Sequence, residues 1–290
     1  MQRSQRIFAF CLALAGVSFG ARASDLPPAQ PTPSFFSPAS FLNGSDWIVT
    51  FSGQVSEGPT YPGARKYSFF GLPGIGLRQA DSVEHFSTPD DGFNIPVYEN
   101  DYLRFGPVGR LVGDRATYGD KSLSGMAYIP PSLELGGFTE FTPLSWMRAR
   151  LELRQAVTGH DGLAATVGGD VWNRWGDVTL SVGPRVNFGN DKYAQTYFGV
   201  APAQSVANLA AGGNLTPYNA QGGMISAGLT TAARYDMNRD WRFTLFGNYQ
   251  RISGNVAGSP IVEHAGSRDQ YVGGLELAYR FKPAGAWPWF

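Results

Sequence analysis

Cysteine and histidine are nearly missing from this 290-residue chain, which has one and three of them, and only 16% of its residues are charged. Cys11 lies in an apolar leader with no lipobox before it. Once the leader is removed no cysteine remains, so a disulfide framework is excluded. No run approaches the ~18 consecutive apolar residues of a membrane-crossing helix. Lysine plus arginine equals aspartate plus glutamate at 23 each, and three of the arginines (Arg3, Arg6 and Arg22) are in the leader. The remaining chain is slightly acidic and has no basic stripe for nucleic acid. No metal cluster, phosphate loop or nucleotide fingerprint is present, so neither a metal site nor a cofactor is predicted. The histidines are His85, His160 and His264. His160 sits in T-G-H-D-G, explained by turn chemistry, and His264 in V-E-H-A-G-S, three residues before Ser267. That spacing is too loose for a base–nucleophile pair, so no catalytic residue is assigned and the chain is read as a non-enzyme.

What is present is glycine (37 residues) and aromatics (14%), a mixture suited to strand-rich walls with aromatic girdles. The mean hydropathy of −0.18 does not argue against a membrane barrel, because half of each of its strands is polar. Residues 1–23 read as a secretory signal peptide: basic Arg3 and Arg6, an apolar stretch, then Ala21-Arg22-Ala23. Residues 24–46 form a proline-rich periplasmic lead, read as a spacer or a short wall-contacting arm.

From residue 47 the chain alternates. In residues 270–281, Tyr271, Leu275, Leu277, Tyr279 and Phe281 share one face, and Gln270, Glu276 and Arg280 the other. Lipid would cover the first wall and a lumen would take the second. Further strands are predicted at 47–56, 72–79, 93–98, 102–113, 132–141, 147–156, 163–173, 178–188, 224–236 and 241–251. The fold class expected is all-β: an antiparallel up-and-down transmembrane β-barrel of about twelve strands, ten being the alternative, over residues 47–281, with a short extension at 282–290. The strands found number eleven and barrels have even counts, so one is missed or spurious. The doubtful areas are 61–99 and 190–221.

Short turns at 142–145, 173–176 and 237–240 sort to one end, and longer loops at 190–221 and 253–268, with a short one at 158–161, to the other. Trp47, Trp146, Trp172, Trp175 and Trp241 fall at the turn end, where an interfacial aromatic belt belongs. The alternation directs Arg104, Arg110, Glu134, Glu140, Arg148, Arg150, Glu152, Arg154, Asp170, Arg185, Arg234, Arg242, Glu276 and Arg280 into the lumen. A one-residue slip would turn them all to lipid, at ~2–4 kcal/mol for each Arg at mid-bilayer. Two readings of that interior stay open: interlocked Arg–carboxylate pairs filling a narrow bore, or an arginine-lined pore favouring anions.

The run L-S-V-G-P-R-V-N-F-G-N-D-K-Y-A-Q-T-Y-F-G-V (180–200), Y-N-A-Q-G-G (218–223), D-W-R-F (240–243), G-S-P-I-V (258–262) and the closing L-A-Y-R-F resemble the MipA/OmpV family of MltA-interacting outer-membrane proteins. Y-P-G (61–63), Leu72-Pro73 and T-G-H-D-G also fit. Family members typically end at the aromatic of the last strand, whereas this chain continues K-P-A-G-A-W-P-W-F. The resemblance implies the outer membrane of a Gram-negative bacterium, lipid as surroundings, and no known catalysis. It also implies a scaffold between a lytic transglycosylase and a penicillin-binding protein, with a narrow anion-favouring channel or a surface adhesin as alternatives.

Overall fold

The computed structural model describes residues 34–35, 47–80, 84–116 and 121–283. The expected signal peptide, most of the expected lead and most of the expected C-terminal extension lie outside the described residues. The strands are β1 (Ser34–Phe35), β2 (Trp47–Pro59), β3 (Tyr67–Gln79), β4 (Phe93–Asn94), β5 (Tyr98–Glu99), β6 (Leu103–Val112), β7 (Ser132–Leu144), β8 (Met147–Ala156), β9 (Leu163–Trp175), β10 (Val178–Gly189), β11 (Gly223–Asp236), β12 (Trp241–Ile252) and β13 (Asp269–Phe281). Between β10 and β11 lie two helices, α1 (Asp191–Phe198) and α2 (Pro202–Ala210).

The sheet runs β1-β5-β6-β7-β8-β9-β10-β11-β12-β13-β2-β3, twelve strands in one antiparallel path with β4 beside β6. Ten of them are 10 to 14 residues long, the length a tilted membrane strand needs. The last strand closes on the first long one, Leu275 opposite Val55 and Tyr279 opposite Phe51. Among the described residues no ladder joins β3 to β1, so the barrel is nearly closed, with its seam there.

Two features at the seam depart from the sequence reading. The strand expected at 93–98 is broken by Pro96 into β4 and β5, both paired with β6. Backbone bonds from Ile95 N–H to Pro107 O (3.2 Å) and Val97 N–H to Phe105 O (3.0 Å) hold the pieces on one line. A strand also lies in the proline-rich lead, where Ser34 pairs with Glu99 and Phe35 with Tyr98. The lead is therefore not wholly a spacer.

Alternation decides the two walls. Along β8, Arg148, Arg150, Glu152, Arg154 and Ala156 are buried while Ala149, Leu151, Leu153 and Gln155 are exposed. The outer wall shows Phe51, Phe69, Ile75, Leu111, Phe141, Val167, Leu180, Leu229, Leu245 and Leu275, an apolar band that lipid covers. No described helix is long and apolar enough to cross a membrane.

The turn end is built from tight hairpins. Leu144 pairs with Met147 around Ser145-Trp146. Gly176 takes a φ of 59°, which a two-residue hairpin accepts at its first central position. The loop end is packed rather than open. Tyr197, Phe198, Ala194, Ile225, Ile252, Val256 and Val262 form one buried apolar cluster, and Tyr61, Leu123, Met126, Val200, Leu215 and Ile261 a second. The expected long loop at 190–221 thus folds into two short helices. Asn190 caps α1 by accepting from Tyr193 N–H (3.0 Å), and Ala194, Tyr197 and Phe198 form its buried side.

Candidate functional site

Strand register lines the charges up before any side chain is placed. Arg104, Glu140, Arg150, Gly168 and Arg185 occupy one row across β6 to β10, each directly opposite the next. Arg148 faces Asp170, and Arg110 faces Glu134. Opposite charges at such positions sit within pairing range. Gly168 is the gap in the row, since a Cβ there would stand 2.9 Å from Arg185 Cδ. A side chain at that place would push the Arg185 guanidinium away from Asp170.

The resulting network is dense. Arg148 reaches Glu140 (2.8 Å) and Asp170 (2.8 Å), and Arg150 reaches Glu140 (3.1 Å) and Glu152 (3.0 Å). Arg154 joins Glu134 (2.9 Å) to Glu152 (2.5 Å), and Arg185 contacts Asp170 (2.9 Å). Arg104 meets Glu140 (3.1 Å), and Arg110 meets Glu152 (3.1 Å). Nearer the turn end, Arg242 pairs with Asp236 (2.7 Å), and Arg280 lies 3.5 Å from the same carboxylate. Arg234 and Glu276 face the same interior without joining these carboxylate pairs. Charge-assisted bonds of this kind are the strong ones, and desolvation makes each partner depend on the others.

The sequence reading missed the element at the centre of this network. Residues 84–92, E-H-F-S-T-P-D-D-G, run inside the lumen from the turn end to mid-barrel. Glu84 starts the climb on Arg242 (2.6 Å) and Arg280 (3.1 Å). Phe86 stacks on Trp172 with centroids 4.1 Å apart, and the Arg148 guanidinium carbon lies over the Phe86 ring, 5.0 Å from its centroid. Arg234 donates to Ser87 O (2.6 Å). Asp90 accepts from Arg185 (2.8 Å) and from Thr230 Oγ1 (2.9 Å). Asp91 accepts two bonds from Arg148 (2.9 and 3.0 Å) and is tied back to Thr88 N–H (3.0 Å).

At Gly92 the chain leaves the lumen for the wall. Its N–H donates to Glu152 (3.1 Å), and a Cβ there would stand 2.6 Å from Val108 Cγ2 and 2.8 Å from Gly109 O. This inner segment makes the crossing that a wall strand would make between β3 and β4. The odd strand count of the sequence reading has its physical origin here.

The cavity left among Asp90, Asp91, Arg110, Arg150, Glu152, Asp170 and Arg185 is about 10 Å³, room for no more than about one water.

The loop end closes the interior a second time. Arg115, 2% exposed, donates to Thr196 O (3.1 Å), Tyr197 O (2.9 Å) and Ala127 O (3.2 Å), fastening the end of α1 to the β6–β7 connection. Outside this cap an open groove of about 1110 Å³ is lined by residues 157–161 and by Asp191, Lys192, Gln195 and Asn219.

The tryptophans divide. Trp146, Trp175 and Trp241 are outward and 38%, 48% and 38% exposed at the turn end. Trp172 is a correction: it shares the parity of Asp170 and stacks on Phe86 inside the lumen, so it is not an interface residue. Trp47 shares the parity of Phe51 but is buried. Among the described residues no group of His, Cys, Asp and Glu is placed to hold a metal ion.

A sequence model of the family described as MltA-interacting protein MipA matches residues 52–281. The chain is similar to outer membrane protein Omp26La of Vibrio anguillarum, with 32% identity over 106 residues. That alignment spans 37% of this chain and 37% of Omp26La, a little over a third of that relative's length. Among solved structures it is similar to the translocator domain of the autotransporter NalP from Neisseria meningitidis, with 10% identity and a TM-score of 0.36 over 82% of this chain and 89% of that one. Outer membrane protein OprG from Pseudomonas aeruginosa gives 10% identity and a TM-score of 0.26 over 82% and 97%.

Proposed function

The chain belongs to the MltA-interacting protein MipA family, and on that premise we propose that it is a non-catalytic scaffold holding murein-remodelling enzymes at the inner face of the outer membrane. It is an outer-membrane β-barrel protein of that family. The observation that supports the scaffold is the double closure of the barrel. The lumen is packed with Arg–carboxylate pairs and residues 84–92, and the loop end is sealed by two apolar clusters. A barrel whose described residues fill the lumen in this way acts through its surfaces, which favours the scaffold over the anion-channel alternative. The family's description points to a murein-cleaving partner of the MltA kind. Such a partner meets the periplasmic turns and the proline-rich lead.

The turns at 145–146, 176–177 and 237–240 present Trp146, Asp177, Met237, Arg239 and Asp240 on that side, beside Arg174 at the end of β9. A scaffold needs two contact surfaces and no chemistry, which agrees with the lack of a base–nucleophile pair in the sequence. The test is a cross-linked pull-down of the tagged protein from intact envelopes, read by mass spectrometry. Enrichment of a lytic transglycosylase together with a penicillin-binding protein, relative to an unrelated outer-membrane barrel, is the expected result. Their absence with the barrel shown to be folded overturns the scaffold. Removing residues 25–33 tests the lead separately: weaker capture assigns it a contact, and unchanged capture leaves the turns as the docking surface.

A further inference from the structure

The T-G-H-D-G segment has the residues of a turn, yet its histidine has a fully buried side chain at the junction of the lumen and the loop-end cap. His160 Nδ1 accepts a hydrogen bond from Gly162 N–H at 2.9 Å. A ring nitrogen that accepts has no proton, so the imidazole hydrogen is on Nε2, which donates to Glu134 Oε1 at 3.2 Å. Tyr193 and Tyr197 of α1 close on the ring edge-on, with centroids 5.4 and 5.3 Å away. The neutral imidazole therefore pins the loop to the cap on one side and to the luminal network on the other.

We propose that His160 is a pH-sensitive pin whose protonation releases the 158–162 loop and the adjoining helix α1 from the barrel rim. A second proton on the ring can go only to Nδ1, where it would face the Gly162 N–H. Two donors then oppose each other, and that hydrogen bond is lost. The charge gained is drawn to Glu134, itself held by Arg154 at 2.9 Å and influenced by Arg110. The ring stays with the network, and the loop lets go.

Release spreads because the next residue is tied to the helix. Leu163 N–H donates to Asn190 Oδ1 (3.0 Å), the same oxygen that caps α1 through Tyr193 N–H (3.0 Å). Gly162 also packs directly on Tyr193, since a Cβ at Gly162 would stand 2.6 Å from Tyr193 Cα. The other ionisable groups facing the ring are the Tyr193 and Tyr197 phenols, which stay protonated under acid, and Asp161 lies beside it on the same loop. The outer groove runs between residues 157–161 and α1, so its walls are the parts that move.

The experiment is amide hydrogen exchange on the full-length protein in lipid nanodiscs, at about pH 7.5 and about pH 5. After correction for intrinsic rates, the 158–163 and α1 amides should exchange about tenfold faster at the lower pH, the equivalent of one lost hydrogen bond, while the β8 amides and the β9 amides beyond Leu163 stay unchanged. His160→Asn, which keeps an acceptor and does not titrate, should abolish the difference. Should that variant not fold, nitrogen NMR of the wild-type ring decides, with Nε2–H expected at pH 7.5 and both nitrogens protonated at pH 5. Equal protection at the two pH values, the same acid response in a folded His160→Asn protein, or an Nδ1–H tautomer at pH 7.5 would each overturn the pin.

Discussion

The lumen and the loop-end cap block the same passage by different physics. In the lumen, Arg148 is shared among Asp91, Glu140 and Asp170, so the filling is ionic and every member depends on its partners. In the cap, Tyr197, Phe198, Val256 and Val262 are fully or almost fully buried against one another, and the filling is apolar. Ionic filling suits a wall whose inward positions must be polar, because the outward ones face lipid. Apolar filling suits loops that stand clear of the bilayer and can build a small core of their own. A perturbation of the luminal Arg–carboxylate pairs should therefore spare the cap, and one that removes volume from the cap should spare the lumen.

The largest expected effect comes from Arg148→Met. It removes the cation shared by three buried carboxylates and should destabilise the barrel by about 3–5 kcal/mol, read as a fall in the urea midpoint in lipid vesicles. An unchanged midpoint would mean that the lumen is wetter than its packing indicates. Next is Phe198→Ala, with a cavity cost of about 3 kcal/mol confined to the cap. Protease should then cut within 190–222 while the barrel keeps its heat-modifiable gel migration. Loss of both together would erase the distinction between the two closures.

Asp91→Asn comes next: it removes the charge that Arg148 holds with two bonds (2.9 and 3.0 Å) and should loosen residues 84–92 while the cap keeps its resistance to protease. Loosening of both together would contradict separate control of the two. The smallest effect belongs to Arg174→Ala. This side chain is 61% exposed and 3.6 Å from Asp236, so its loss should cost no more than about 0.5 kcal/mol.

The sequence made the walls legible because alternation is a local signal. R-A-R-L-E-L-R at 148–154 assigns the face of every residue in it, and the register then follows from short turns. The inner segment had no such signal. E-H-F-S-T-P-D-D-G shows neither period, and its partners are as distant in the chain as Arg148 (57 residues from Asp91) and Thr230 (140 from Asp90). Trp172 was readable and misread: its place at a strand end suggested the belt, whereas its parity with Asp170 sends it inward. In α1, Asn190 as a cap with Tyr193, Ala194, Tyr197 and Phe198 at helical spacing was a local sign of a helix within what looked like a long loop.

Conductance of the purified full-length protein in planar bilayers tests the closed barrel most directly. The double closure predicts silent insertion at neutral pH, with no unitary steps from protein shown to be folded by its heat-modifiable migration. Steady, reproducible anion-selective steps from the same preparation would contradict it, and the arginine wall would then have to be read as the lining of a pore.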